Sequence, residues 1–279
     1  MSAASLGTLV TYNPWSVPPH VLLEDVAARF EELGVHHVPV VDDERRVIGM
    51  LSETDLLRAR QSRRVVLVTA GAAETEDASF VVARDVMSRE VISISSMTSF
   101  AEALGLLLDR HIHALPVVDG ERLVGVISSR DFLREFSYGE IDCTCEPISR
   151  LLKAQPPDLQ EPDATLDEAL LAMNESGADC LPVGQGGCPL GVLARRDIVR
   201  EKCRLSEEAE ILPGKPRTAS ILRIVRNSPA IRSGQRLCEA AAAMIDRGLP
   251  AVTVINQSNR FLGLVTEDDL LKVLYDAQA

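Results

Sequence analysis

One stretch of sequence occurs four times in this chain of 279 residues, and that repetition constrains the fold more than any other feature. Its clearest copy spans residues 111–133. It contains a short apolar run, the hairpin turn signal Asp119-Gly120, and a second apolar run that leads into a helix. A fixed internal repeat predicts a repeated structural unit, so the chain is expected to build several similar modules in series.

The four copies share a glycine that lies six residues before an aspartate. These pairs are Gly49 and Asp55, Gly125 and Asp131, Gly191 and Asp197, and Gly263 and Asp269. Amphipathic helices are predicted ahead of the hairpins, at residues 22–33, 99–110, 165–176 and about 234–247. The first ends at Gly34, and His111 holds the same position in the second copy, where a positive φ is less comfortable. Each repeat should therefore be an α/β (α+β) unit of helix, β-hairpin and helix with a short leading strand.

Length and repeat number together predict two domains of two repeats each. The domains are expected at residues 1–140 and 141–279. The repeats are expected at about 6–63 and 80–138 in the first domain, and at about 148–204 and 218–276 in the second. A hydrophobic content of 46% is enough for sizeable cores, whereas aromatic residues make up only 4%. These cores should therefore be aliphatic.

The net charge of −12 argues against general binding to nucleic acid or to anionic membranes. No apolar run approaches the 18 residues of a membrane span, and the N-terminus lacks the basic and apolar regions of a signal peptide. Six cysteines without regular spacing indicate reduced thiols. We therefore expect a cytoplasmic protein.

The second copy carries a recognisable set of motifs: Leu115-Pro116-Val117-Val118-Asp119, then Gly125-Val126-Ile127-Ser128, then Asp131. This set resembles the CBS domain, the small module named after cystathionine β-synthase. Four copies resemble a stand-alone protein of two Bateman modules, each a tandem pair of CBS repeats. The resemblance implies that two repeats pack about a pseudo-two-fold axis. It also implies two equivalent clefts in each pair, which often bind adenosine-type ligands.

The residues themselves suggest how such a cleft would bind a nucleotide. Asp131, at a helix start, could accept hydrogen bonds from two ribose hydroxyls, while Ser128 and the helix N–H groups suit a phosphate. The candidate ligand-binding residues are Ser128, Arg130, Asp131, Ile112 and His113 in the second repeat, Ser52, Asp55 and His36 in the first, Arg196 and Asp197 in the third, and Thr266 and Asp269 in the fourth. Sequence alone ranks the second repeat first, then the first, third and fourth, because carboxylates surround Asp269 and would repel phosphate.

Helix capping explains the same Ser-x-x-Asp pattern without a ligand, and the two interpretations are compatible. A base also follows each aspartate by three residues, namely Arg58, Arg134, Arg200 and Lys272. This base could form an ion pair along the helix or reach a phosphate.

Other candidate sites are weaker. His36, His37, His111 and His113 cluster at the junctions between helix and hairpin, and Cys143-Thr144-Cys145 could bind a soft metal or oxidise. The role of Trp15, either covering a cleft or packing in the core, stays open. The sequence contains no Gly-rich phosphate loop, nucleophile elbow or zinc-hydrolase motif.

The sequence therefore predicts a non-catalytic sensor with no obligatory cofactor. Its regulatory ligand would be an adenine nucleotide, AMP, ADP or ATP, with or without Mg²⁺, while S-adenosylmethionine and NAD stay open. The resemblance implies a homodimer or a pairing of the two modules within one chain. Its output would act on a separate, unknown target protein. The alternatives are a ligand-free interaction scaffold and a redox or metal sensor built on Cys143 and Cys145.

Overall fold

The computed structural model describes residues 6–59, 81–138, 146–211 and 219–278. Cys143 and Cys145, and with them the predicted thiol site, lie outside the described residues. The chain forms two compact units, Met1–Ser128 and Ser129–Ala279. The functional boundary between residues 140 and 141 stays a prediction.

The first unit alternates short helices with hairpins. In chain order its elements are α1 (Leu6–Leu9), β1 (Thr11–Tyr12), α2 (Leu23–Leu33), β2 (His37–Val41), β3 (Val47–Ser52), α3 (which includes residues 53–59), α4 (Ala83–Val86), β4 (Ile94–Ser95), α5 (Phe100–Arg110), β5 (Ala114–Asp119) and β6 (Arg122–Ser128).

The second unit repeats this order after an initial helix. Its elements are α6 (Ser129–Tyr138), α7 (Leu166–Ser176), β7 (Cys180–Gln185), β8 (Cys188–Ala194), α8 (Arg195–Ile211), β9 (Ile231–Arg232), α9 (Leu237–Arg247), β10 (Ala251–Ile255), β11 (Phe261–Thr266) and α10 (Glu267–Asp276). Short 3₁₀ turns occupy Ile148–Leu151 and Ile221–Arg223.

All four predicted hairpins form as antiparallel pairs: β2 with β3, β5 with β6, β7 with β8, and β10 with β11. In the second repeat the turn lies one residue later than predicted. Asp119 still pairs with Arg122, so the connection is Gly120-Glu121, and Gly120 adopts the positive φ of +62°. The prediction of a two-residue turn is confirmed, but its placement was wrong. Gly120 takes the first of the two loop positions, where its positive φ is needed, rather than the second.

The sheets extend beyond these hairpins through the leading strands. β4 pairs in parallel with β5, and β9 pairs in parallel with β10, so the predicted leading strand forms in the second and fourth repeats. In the first and third repeats, single parallel bridges join Val17 to Val40 and Gln160 to Val183. In addition, β1 pairs with β6, so a segment from the start of the first repeat joins the sheet of the second.

The helices ahead of the hairpins begin and end as the sequence indicates. α2, α5, α7 and α9 all end at a residue in the left-handed conformation, Gly34, His111, Gly177 and Gly248. His111 adopts φ 51° and ψ 43°, so its place at a position that favours glycine is confirmed. At the start of α7, Thr165 and Glu168 form a capping box, in which the backbone N–H and the hydroxyl of Thr165 lower the pKa of Glu168.

Aliphatic side chains fill the cores, as the composition predicts. In the first unit Val26, Phe30 and Leu51 are buried together, and Trp15 packs edge-on against Phe30 with ring centroids 5.9 Å apart. Trp15 therefore belongs to the margin of this core, which answers the question that the sequence left open. In the second unit Leu166, Met173, Leu193 and Ile198 are buried in one cluster, and complete burial of such side chains contributes about 1.5–3 kcal/mol each.

Helix α6 follows the second hairpin in sequence but packs within the second unit, against α9 and α10. The Ser137 hydroxyl contacts the Cys238 carbonyl, and the Tyr138 hydroxyl donates to Asp246 over 3.0 Å, which raises the pKa of Tyr138. Among the described helices, none combines the length and the apolar character that crossing a bilayer requires.

Candidate ligand-binding clefts

The glycine shared by the four hairpins lies beneath a leading segment of the neighbouring repeat. Met87 packs on Gly49 and Val10 on Gly125 in the first unit, while Val225 packs on Gly191 and Leu152 on Gly263 in the second. A Cβ atom at any of these glycines would overlap the segment above it. The glycine is therefore explained by close approach, and each tandem pair exchanges leading segments between its two repeats.

Ser88 follows Met87, and Arg226 follows Val225. Each of these two residues lies beside the strand that leads to the aspartate of the neighbouring repeat. Ser88 and Met50 exchange two backbone hydrogen bonds of 2.9 Å, and Arg226 and Val192 exchange bonds of 2.9 and 3.0 Å. Ser88 and Arg226 therefore occupy equivalent positions in the two units. Thr11, which follows Val10 and pairs with Val126, holds the same position in the second repeat.

Ser52 and Thr266 form capping boxes with the aspartates three residues later, as the motif predicts. In the first repeat the backbone N–H and the hydroxyl of Ser52 donate to Asp55 Oδ2 over 3.0 and 2.6 Å. Thr266 makes the same bonds to Asp269 Oδ2 over 2.9 and 2.7 Å. The capping interpretation is thus confirmed for Ser52 and Thr266.

The capping hydrogen bonds use only one of the two carboxylate oxygens of Asp55, Oδ2. Asp55 is half-buried, and its Oδ1 accepts no hydrogen bond and forms no ion pair with any residue of the described ranges. The base Arg58 is described, yet it lies beyond ion-pair distance, so the intrahelical ion pair is not formed here. Ser88, on the neighbouring leading segment, is exposed. This helix start therefore has a charged acceptor atom that no residue in the described part of the chain uses.

The third repeat arranges the same carboxylate differently. Both oxygens of Asp197 accept hydrogen bonds from Arg226, from Nε over 2.7 Å and from Nη2 over 2.6 Å. The Asp197 side chain is 8% exposed and that of Arg226 is 29% exposed. Ala194 replaces the capping hydroxyl, so Arg226 supplies the hydrogen bonds that Ser52 provides to Asp55 in the first repeat.

Two arginines also meet one backbone carbonyl near Asp197. Arg226 Nη1 and Arg196 Nη2 donate to the carbonyl oxygen of Gly248 over 3.1 and 3.3 Å. Gly248 is the C-cap of α9 in the fourth repeat, so this cleft is built from two repeats. Two predicted site residues, Arg196 and Asp197, thus come together, while Arg226 was not among those that the sequence suggested.

The junction residues of the second repeat have counterparts in the fourth repeat. His111 corresponds to Gly248, so Ile112 and His113 correspond to Leu249 and Pro250 at the edge of the equivalent cleft. The ring of His113 lies 6.3 Å from the ring of His37 between centroids.

In the first repeat, a backbone hydrogen bond joins the junction between α2 and β2 to the start of α3. The Glu53 N–H donates to the His36 carbonyl over 3.0 Å, and His36 Nδ1 lies 3.0 Å from Glu53 Oε2. His36 is therefore held at the start of α3, next to Ser52.

In the second repeat, Asp131 is half-buried and forms an ion pair with Arg134 over 3.1 Å. The ion-pair interpretation of the base three residues on is confirmed at this position. Ser128 and Arg130 are also half-buried. Their part in ligand binding stays a prediction.

The fourth repeat has a strongly negative helix start. Glu267, Asp268 and Asp269 fill the first turn of α10, and Glu267 Oε1 is buried with no hydrogen-bond partner among the described residues. Burial, with added repulsion from Asp179, Asp269 and Asp268, raises the pKa of Cys180 to about 12. That phosphate is disfavoured here stays a prediction.

Metal ligands do not converge within the described ranges, where no three side chains of His, Cys, Asp or Glu could hold one ion.

Sequence reasoning treated each repeat as its own site and therefore missed Arg226. The signal was present in the leading segments. Aligning Met87-Ser88 with Val225-Arg226 would have set a serine against an arginine at one position. That alignment is hard to find because the segments are short and have no shared motif.

Comparison with known proteins agrees with this architecture. The CBS domain model matches residues 6–62, 83–138, 161–203 and 221–276. Among solved structures, protein MJ1225 from Methanocaldococcus jannaschii, proposed as an archaeal homologue of g-AMPK, aligns with a TM-score of 0.75 at 20% identity. The alignment covers 97% of this chain and 100% of MJ1225. A conserved protein of Pyrococcus horikoshii aligns with a TM-score of 0.63, also at 20% identity, over 96% and 98% of the two chains.

Among curated sequences, a 33.4 kDa protein in the ribosomal RNA operon of Thermofilum pendens is 28% identical over 195 residues. The match covers 65% of this chain and 60% of that protein, so the chain spans only about three fifths of this relative. The four family matches cover most of the chain and coincide with the four observed hairpin units. The chain belongs to the CBS-domain family and carries four CBS domains.

Proposed function

We propose that this protein is a non-catalytic regulatory sensor that binds an adenosine-containing ligand, AMP, ADP or ATP, in clefts between paired CBS domains. Family membership supports a regulatory role, since CBS domains commonly hold adenosine-type ligands. In the first unit, Asp55 would accept the ribose hydroxyls, and Ile112 and His113 would line the cleft. In the second repeat, Ser128, Arg130 and Asp131 would bind a second nucleotide, with Mg²⁺ where the ligand is ATP.

The observation that carries this proposal is the unused oxygen of Asp55. Asp55 is a half-buried residue, and a carboxylate oxygen without a partner among the described residues favours a ligand that donates hydrogen bonds to it. A ribose diol has this chemistry, and the N–H groups at the start of α3 suit a phosphate. The cleft is therefore polar at a few defined points, as small-molecule sites usually are.

The test measures binding of AMP, ADP, ATP with and without Mg²⁺, S-adenosylmethionine and NAD by calorimetry and by thermal unfolding, with GMP as control. A ligand that binds only the native state raises the melting temperature with the logarithm of its concentration. We expect adenosine ligands to do so, and Asp55→Ala to lower affinity at its site by about ten-fold or more, because hydrogen bonds to a charged group are lost.

Glu168→Ala is the matched control, because Glu168 accepts the same capping bonds, from the backbone N–H and the hydroxyl of Thr165, outside the candidate sites. It should destabilise the protein to a similar degree and leave adenosine binding unchanged. A flat response of the wild-type protein to the whole panel would contradict the sensor proposal and favour the ligand-free scaffold. Stoichiometric zinc, or a disulfide that changes the oligomeric state, would favour the sensor built on Cys143 and Cys145.

Bound nucleotide would act by linkage. A ligand that bridges two repeats favours one packing of the pair and so changes the surface offered to a partner protein. Pairing as a homodimer and action on a separate target chain belong to this proposal. Analytical ultracentrifugation with and without ligand tests the first of these.

A further inference from the structure

We infer that the residue at the Ser88/Arg226 position determines whether a cleft accepts a ribose, and that Arg226 closes the Asp197 cleft to it. The inference rests on the proposed function, because it concerns the same kind of cleft. It assigns to one side chain of the leading segment a role in ligand specificity. The ribose-binding capacity of the two units then differs for a reason outside the Gly-x-x-x-x-x-Asp motif.

The chemistry of Asp197 supports closure. A ribose diol needs free acceptor positions on the carboxylate, and Arg226 takes both oxygens in a bidentate pair. Such charge-assisted bonds are roughly twice as strong as bonds from neutral donors. A neutral hydroxyl pair would have to displace a guanidinium from a carboxylate that is only 8% exposed.

The position of Arg226 is also fixed before any ligand arrives. Its backbone is paired with Val192 in both directions, and its Nη1 donates to the Gly248 carbonyl. All three guanidinium nitrogens therefore have partners. Because the donor belongs to the same chain, it competes with a free ligand at a high effective concentration.

The equivalent cleft of the first unit has Ser88, not an arginine, at this position. Ser88 is backbone-paired to Met50 in the same way, but its side chain is short and neutral. Within the described ranges no cation lies within ion-pair distance of Asp55. Identical backbone positions thus present an open acceptor in one unit and a satisfied one in the other.

The experiment exchanges the two residues and counts AMP sites by calorimetry. Ser88→Arg should build the arginine pair on Asp55 and lower AMP affinity at that site by about ten-fold or more. Arg226→Ser should release Asp197 and add one AMP site per chain. Met97→Arg adds the same charge on a turn where Met97 is 89% exposed, and it should leave binding unchanged.

The outcomes separate this inference from the proposed function. AMP binding to the wild type that is unaltered in Ser88→Arg would overturn the inference and leave the sensor proposal intact. A folded Arg226→Ser protein that gains no site would also overturn it. If the wild type binds no AMP, the proposed function fails, and a site gained in Arg226→Ser would still support the inference. Circular dichroism checks folding, and should Arg226→Ser not fold, Ser88→Arg decides.

Discussion

The clefts around Asp55 and Asp197 share one backbone arrangement and differ in how the carboxylate is satisfied. In the first unit Ser52 caps the helix and bonds one oxygen of Asp55, and the other oxygen has no partner among the described residues. In the second unit the capping hydroxyl is absent, and Arg226 bonds both oxygens of Asp197. A shared motif therefore does not imply a shared binding capacity.

The two equivalent positions on the leading segments differ in charge. Ser88, in the first unit, is short and neutral and leaves Asp55 available to ligand donors, whereas Arg226, in the second unit, pairs with Asp197 and neutralises it. At these two positions, charge on the neighbouring repeat sets the character of the cleft.

The largest expected effect comes from breaking the buried pair. Arg226→Met leaves Asp197 as a buried, unpaired charge, which should lower the free energy of unfolding by about 3–5 kcal/mol. Urea unfolding measures this. Ser88→Ala, at the equivalent position of the first unit, should change it by less than about 0.5 kcal/mol. Equal small effects in both variants would show that the two clefts do not differ as described.

A second prediction uses Cys180, which lies near the carboxylates of the fourth repeat. Burial raises the pKa of this thiol to about 12, whereas an unfolded cysteine has a pKa of about 8.5. The thiol therefore contributes stability that is fully present below pH of about 8.5 and is lost as the pH rises toward 12. Above that lower value the unfolding free energy should fall by up to about 1.4 kcal/mol per pH unit from this group.

Unfolding measured between about pH 7 and pH 10 tests this, with Cys180→Ala as the control variant. The decline should be shallower in Cys180→Ala, because the titrating group has been removed. Parallel curves for the two proteins would contradict a shielded thiol and would weaken the account of a negative cleft at Asp269.

The smallest effect concerns the capping boxes of Ser52 and Thr266, one in each unit. Ser52→Ala and Thr266→Ala should each lower the free energy of unfolding by about 1 kcal/mol, because each removes an N-cap hydrogen bond. Chemical denaturation of both variants checks this. Saturating AMP should raise the stability of both variants, since Asp55 remains in place. A much larger loss at Ser52 would mean that its hydroxyl does more than cap the helix.

Much of the fold followed from local signals in the sequence. The amphipathic spacing of the helices ahead of the hairpins, and Gly34 at the end of the first, predicted elements such as α2 and α7, which form within one or two residues of their expected bounds. The turn at Gly120 lies one residue later than predicted, because Gly120 takes the first position of the loop. Local chemistry sufficed wherever the deciding contacts lie within a few residues.

The candidate site was only partly predictable. Asp55, Asp131, Asp197 and Asp269 were all identified from the motif, and the capping bonds of Ser52 and Thr266 followed from their spacing. The state of each carboxylate could not be predicted, because the partner that decides it lies in another repeat. Arg226 is 29 residues after Asp197, and the hydrogen bonds between them are visible only in the folded unit.

The sequence by itself determined the four repeats, their hairpins and the position of one acidic group at each helix start, since these depend on backbone propensity and short-range hydrogen bonds. Only the tertiary structure decided why the shared glycine is required and which carboxylates stay available. The leading segments cross between repeats and pack on that glycine. That crossing places Ser88 in one cleft and Arg226 in the other, at distances in sequence that no local pattern reports.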